Sequence, residues 1–106
     1  MTDTATRPVG PILLTNTTAT LYTVPAASTF IARLIHIANT SGTAATVKLS
    51  IGTDAAGTRL LGDYSISPNS TYDWSGFLPV LQGEVIKGHS GTTNVLNITI
   101  AGVLVT

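Results

Sequence analysis

Two histidines, His36 and His89, are the only side chains in this sequence that could act as a base near neutral pH. His36 lies inside the apolar run 30–39, where a packed or hydrogen-bonded core histidine is the simplest interpretation. His89 stands where a strand meets a Gly-His-Ser-Gly turn and is predicted to be solvated. Catalysis needs a nucleophile or a titratable pair held by a third group, and no Gly-x-Ser-x-Gly motif accompanies either histidine. We therefore predict that the chain is not an enzyme and has no catalytic residue.

The five carboxylates are dispersed along the chain, at Asp3, Asp54, Asp63, Asp73 and Glu84. Two of them could still meet from distant strands as a glycosidase pair, but sugar sites also need aromatic platforms, and aromatic residues make up only 6% of the chain. Asp54, in the turn 52–57, is interpreted as a turn residue that bonds its own backbone. The glycines that bound this turn have phosphate-loop spacing, but Thr58 and Arg59 follow where Lys and then Ser or Thr are required. With no calcium-loop pattern and no cysteine for a zinc-thiolate site, we predict no metal and no cofactor.

The charge balance excludes several classes of partner. Five Lys and Arg residues against five Asp and Glu residues give a net charge of zero, and charged residues make up 9% of the 106 residues, where about 25% is usual. No broad basic surface for nucleic acid and no polybasic membrane anchor can form from this composition. The absence of cysteine and of a signal-peptide pattern favours folding in a cytosol. A chain this small, with so few charges to defend its strand edges, is expected to gain stability by assembly.

The apolar periodicity is that of strands throughout. Thr46–Ile51 and Asn94–Ile100 alternate cleanly, and Ala101-Gly102 then breaks the phase as at a bulge, after which Val103 and Val105 take over. Further strands are predicted over 19–24, 30–39, 59–66, 70–74 and 84–89, with an edge strand or an arm over 11–14. Turn clusters at short intervals separate these runs. We predict an all-β fold: a single antiparallel β-sandwich of about eight strands, jelly-roll or Ig-like, over residues 12–106, preceded by an extended N-terminal arm over residues 1–11.

Two groups of residues are candidates for contact with a partner. Tyr72 and Trp74 share one strand face while Asp73 points the other way, and core or subunit-interface packing is favoured for this pair over an exposed binding face. Arg7, in the arm with Pro8 and Pro11, is free to reach a partner carboxylate, although a solvated side chain is its ordinary interpretation.

Several segments together resemble small structural proteins of tailed bacteriophages. They are Thr20-Leu-Tyr-Thr-Val-Pro-Ala26, the run 30–42 that ends in Ala-Asn-Thr-Ser-Gly, Ala45–Ile51, Leu81–Gly88 and Asn94–Val103. The resemblance covers roughly residues 12–106 and is one of strand and turn residues, without an invariant chemical motif.

The resemblance implies a virion protein made in the host cytoplasm. Capsid decoration (cement) proteins of this kind are small β-modules, often homotrimers, that bind the major capsid protein on the outer surface of the head and stabilise contacts between capsomers. Their N-terminal arms often lie across neighbouring capsid subunits, a role that 1–11 would suit. The alternative is a minor tail, fibre or spike component that binds host-surface glycan, and a third possibility is a free lectin-like module.

Overall fold

The computed structural model describes residues 2–106, which form eight strands and no helix, so no helix in this part of the chain could cross a membrane. The strands are β1 (Asp3–Leu13), β2 (Ala19–Thr23), β3 (Thr29–Asn39), β4 (Ala45–Ile51), β5 (Arg59–Ile66), β6 (Thr71–Val80), β7 (Val85–Ser90) and β8 (Leu96–Val105). A first sheet has the order β1-β8-β3-β6 and a second sheet the order β2-β7-β4-β5, and every pairing is antiparallel. The predicted β-sandwich is confirmed.

The strand pairing identifies the layout as a jelly roll. β1 pairs with β8, β2 with β7, β3 with β6 and β4 with β5. The first four strands therefore pair with the last four in reverse order, as in a long hairpin that turns at the β4–β5 connection. This hairpin is rolled up so that its strands form two sheets. An immunoglobulin-type sandwich divides its strands differently, with β-strands A, B, E and D facing C, F and G. Of the two predicted layouts, the jelly roll is therefore the one the chain adopts.

The core lies between the two sheets and is built by the alternation read from the sequence. Val47 and Leu49 of β4 face the inward residues of β8, and all of them are at most 1% exposed. The inward residues of β8 are Leu96, Ile98 and Ile100. Burying each such side chain contributes about 1.5–3 kcal/mol, which makes this layer the main source of stability.

The N-terminal segment belongs to the sandwich, which corrects the expectation of an arm outside the core over residues 1–11. β1 follows β8 from Asp3, opposite Val105, to Leu13, opposite Asn97, and Val9 in its middle is only 2% exposed. The backbone N–H of Thr2 donates to the carbonyl of Thr106, and the reverse bond is also made, each at 2.9 Å. The segment is extended, as predicted, but β8 satisfies its backbone groups. Met1 lies outside the described residues.

The prolines of this segment are compatible with a strand because β1 is at an edge of its sheet. Proline has no N–H to donate, so strands accept it at edges and irregularities. Pro8 falls where the β1–β8 register shifts between Thr6 and Val9, and Pro11 falls in the second shift, between Val9 and Ile12. Pro8 and Pro11 are therefore the prolines of a bulged edge strand.

The bulge predicted at Gly102 lies in the neighbouring strands. β8 itself is regular at Gly102. The extra residues that form the bulges belong to its two neighbours: Arg33 in β3, and one residue after Thr6 in β1. A Cβ on Gly102 would lie 2.0 Å from the carbonyl oxygen of Ile31, so the close approach of β3 requires glycine here.

The apolar phase of β8 also continues through Gly102. Leu104 lies opposite the buried Phe30 and packs against the core, while Val103 and Val105 lie on the other face of the strand. The expectation that Val103 and Val105 continue the inward pattern was therefore wrong. Because glycine occupies the inward position 102, the alternation of apolar residues is interrupted in the sequence but not in the strand.

Candidate functional site

A cleft opens between the two sheets where β5 and β6, edge strands of different sheets, face each other. Its cavity is about 170 Å³ and is lined by five aliphatic side chains and two aromatic rings: Ile35, Leu49, Leu60, Leu61, Leu78, Tyr72 and Trp74. A dry cavity of about 150 Å³ with such a lining is large enough to hold a benzene ring. The cleft can therefore accept one apolar side chain, and it offers little to a sugar or a charged substrate.

Aromatic rings border this cleft. Tyr64 of β5 and Tyr72 of β6 meet across the gap between the sheets, with ring centroids 4.8 Å apart and planes tilted by 59°. Tyr72 and Trp74 are half-buried and pack against the core, whereas Tyr64 is 45% exposed. The prediction that Tyr72 and Trp74 share one face while Asp73 points the other way is confirmed, because Asp73 lies on the outer face, where it contacts His36.

His36 is not a core residue, which corrects the interpretation drawn from its apolar surroundings. Its side chain is 39% exposed on the outer face of β3, where Nδ1 is hydrogen-bonded to the Asp73 carboxylate. The hydrogen bond from His36, with a second at 2.9 Å from the Thr71 hydroxyl, holds the pKa of Asp73 below its usual range. Within residues 2–106 no serine or cysteine hydrogen-bonds to His36, so the ring has no side-chain nucleophile beside it to activate. The pair joins β3 to β6.

The second histidine belongs to a polar chain on the outer face of the second sheet. The Thr18 hydroxyl lies 3.0 Å from His89 Nδ1 and 3.5 Å from Asp54 Oδ2, and Arg59 Nε donates to Asp54 Oδ1 at 2.8 Å. The bond from Arg59 lowers the pKa of Asp54. A catalytic triad needs its acid on the far nitrogen of the histidine, but this acid contacts the hydroxyl instead. The arrangement ties the turn 52–57 to the β1–β2 connection.

Asp54 therefore bonds to side chains, and the prediction that it bonds its own backbone was wrong. Thr58 supplies the backbone bond of this turn, because its hydroxyl donates to the carbonyl oxygens of Thr53 and Ala55. Within residues 2–106 no three His, Asp or Glu side chains come close enough together to hold a metal ion.

The outer face of the first sheet is apolar at one end, and this is the surface that sequence reasoning missed. Residues directly opposite each other on paired strands point to the same side. One such set crosses all four strands: Ala5, Val103, Ile31 and Pro79. We call these four residues the apolar row. Outward positions of a sandwich are ordinarily polar, so an apolar row that spans a whole sheet is a candidate interaction surface.

The apolar row continues into neighbouring positions. Leu34 is 38% exposed and lies opposite Ala101, and Phe77 of β6 is 64% exposed. Val105 extends the apolar surface on the other side of the row. The polar pair of His36 and Asp73 marks where this surface ends.

The five predicted partner-binding residues do not form one site. Arg7, Pro8 and Pro11 are on β1, and Tyr72 and Trp74 are on β6, at the opposite edge of the same sheet. Three strand spacings separate these edges, or roughly 14 Å. Arg7 and Pro11 are exposed and Pro8 is half-buried. Ile31, Val103 and Val105 are the residues from which the surface between these edges could have been predicted, but their apolar side chains are equally typical of a core.

No family model matches the chain, and no curated protein or solved structure is significantly similar to it.

Proposed function

We propose that this chain is a structural protein of a bacteriophage virion, and that it acts as a capsid decoration protein that binds the outer surface of the head. The observation that carries the proposal is the apolar row. A protein that works alone in water keeps the outer faces of its sandwich polar, whereas a protein that is built into an assembly covers an apolar face with a neighbour.

Three further features support the same function. The jelly roll is a common architecture of viral capsid proteins as well as of lectins. The resemblance of residues 12–106 to small phage structural proteins points to the first of these. The cleft gives little support to a glycan site, because five of its seven lining side chains are aliphatic, Tyr72 and Trp74 are half-buried against the core, and the adjacent carboxylate of Asp73 faces away from it.

A protein of this kind acts through buried area and needs no reaction chemistry. The side chains at the mouth of the cleft, Leu60 and Tyr64, together with Phe77 on the outer face, are the accessible apolar groups at the β5–β6 side. An apolar side chain of a capsid subunit that enters the cleft removes apolar surface from water. Each Å² removed contributes about 25 cal/mol to the free energy of binding. Repeated at every lattice position, even a weak contact of this kind stabilises a shell.

The experiment is to count copies of the chain per particle. Peptides of the chain and of the major capsid protein are quantified together by isotope-dilution mass spectrometry in purified virions of the phage that encodes it. We expect a ratio within a few-fold of the capsid protein, since only the shell lattice offers that many sites. A few copies per particle would overturn the decoration role in favour of a tail, fibre or neck component. Absence from virions would overturn the virion assignment altogether.

A further inference from the structure

We propose that the apolar row is a self-association surface, on which a second copy of this chain packs face to face about a two-fold axis that runs along the row. The apolar composition of the row and the charges beside it identify the partner as a second copy of the chain. The test of this inference uses the purified protein alone, and a dimer on the row leaves the β5–β6 cleft as the surface for the capsid contact.

The composition of the surface is that of a protein interface. Interfaces are enriched in arginine and aromatic residues and depleted in lysine. Both lysines of the chain, Lys48 and Lys87, are on strands of the second sheet, whereas Arg7 and Arg33 are exposed on the first. Arg59 also lies on the second sheet, so the two sheets differ in lysine, which is absent from the first.

The charges beside the row are self-complementary. Asp3 and Arg7 lie on β1 on opposite sides of Ala5, which is part of the row, and neither takes part in an ion pair within residues 2–106. A two-fold axis along the row exchanges the two sides, so Asp3 of one copy faces Arg7 of the other, and the pair occurs twice. The same operation brings Arg33 to the side where the second copy has Thr29, whose hydroxyl can accept a hydrogen bond.

The area available to the dimer is small, because the row lies within two residues of one end of every strand. A two-fold axis along the row therefore overlaps about five residues of each strand. At about 4.8 Å per strand and about 3.3 Å per residue this overlap measures roughly 300 Å² per copy. The two copies together bury about 600 Å², below the range of stable specific interfaces, so the dimer is expected to be weak and to form only at high protein concentration. A single self-complementary patch closes as a two-fold dimer, whereas a trimer would need two different complementary patches.

The test is sedimentation velocity of the full chain and of two charge-reversed variants, Asp3→Arg and Arg7→Asp. Each single change places like charges opposite each other twice, so we expect the dimer dissociation constant to rise about tenfold. The double variant Asp3→Arg/Arg7→Asp restores both pairs and should recover wild-type dimerisation. An equimolar mixture of the two single variants should also dimerise, because both contacts are then between opposite charges. Asp63→Arg, which makes the same charge change on the second sheet, is the matched control and should leave the dimer unchanged.

A crosslinking experiment gives an independent measurement. The chain contains no cysteine, so Ala5→Cys introduces a single thiol on the axis, opposite its symmetry mate. A short bis-maleimide should convert this variant to covalent dimer, and Ala55→Cys, in an exposed turn of the second sheet, should remain monomeric.

Three results would overturn the proposal. They are a wild-type chain that is monomeric or trimeric at every concentration, single charge reversals that leave the dimer intact, and a double variant that stays dissociated while its circular dichroism shows a folded sandwich. None of these results would change the copy number in virions, so the two proposals fail separately.

Discussion

Val9→Ala tests whether the N-terminal segment is a strand of the sandwich or an arm outside it. Val9 is 2% exposed, in the middle of β1, and packs with the core between the sheets. The substitution removes two methyl groups and leaves the backbone pairing with β8 in place. If residues 2–11 were a free arm, the change would have no effect on the stability of the fold.

The expected loss follows from the burial of this side chain. Removing two buried carbon groups costs about 0.8 kcal/mol each in transfer free energy, and the cavity left behind adds to this. We therefore expect the free energy of unfolding to fall by about 2 kcal/mol. A domain of this size has about 5–15 kcal/mol in total, so the variant remains folded and measurable.

Equilibrium unfolding in urea measures this difference. Trp74 is the only tryptophan and is half-buried in the cleft, so its fluorescence reports on the packing of the two sheets. With a slope of about 1–3 kcal/mol per molar urea, the midpoint should fall by roughly 1 M. Thr4→Ala, at an exposed position of the same strand, is the control and should stay within about 0.5 kcal/mol of wild type. A Val9→Ala midpoint equal to that of Thr4→Ala would refute the assignment of β1 to the sandwich.

Two further changes test the bulge and the polar pair. Gly102→Ala places a methyl group 2.0 Å from the Ile31 carbonyl oxygen, so we expect the free energy of unfolding in urea to fall by about 1–3 kcal/mol. The control is Gly42→Ala, which has open space around it and should be nearly neutral. Equal effects of the two substitutions would contradict the close approach of β3. The pKa of Asp73 is lowered in the folded state by its hydrogen bonds from His36 and Thr71, so its ionised form stabilises the fold above its ordinary pKa and this contribution is lost as the pH falls below about 4. Asp73→Asn should therefore show a shallower decrease of melting temperature with acidification than wild type, and parallel curves would contradict a stabilising role for the pair.

The parts of the fold that the sequence predicts well are those where one strand face is buried and the other is wet. Val47 and Leu49 alternate with Thr46 and Lys48, which are partly exposed, and this pattern cannot shift by one residue without exposing the core side chains. The same holds for β8 up to Ile100. The choice between jelly roll and immunoglobulin layout could not be made this way, because strand order depends on contacts between distant segments.

The errors have a common physical cause, which is that a residue type is compatible with two environments. Pro8 and Pro11 are typical of an arm and also of an edge strand. Val103 and Ile31 are typical of a core and also of an interface between molecules, and nothing in the local sequence separates the two. His36 was assigned to the core for the same reason, because the strand around it is apolar on both faces.

The distribution of charge gives the molecule two unlike sides, and this favours assembly with a fixed orientation. On the second sheet, Lys48 lies 3.4 Å from Asp63 and Arg59 bonds to Asp54, so both of these acids are paired within the chain, whereas Lys87 of β7 takes part in no ion pair within residues 2–106. On the first sheet, Asp3 and Arg7 have no such partner in the described chain, and the surface between them is apolar. A second molecule that covers the first sheet removes apolar area from water and pairs these charges at once. A molecule that covers the second sheet would meet acids that are already paired within the chain. The proposed dimer therefore uses the first sheet and leaves the second sheet facing solvent.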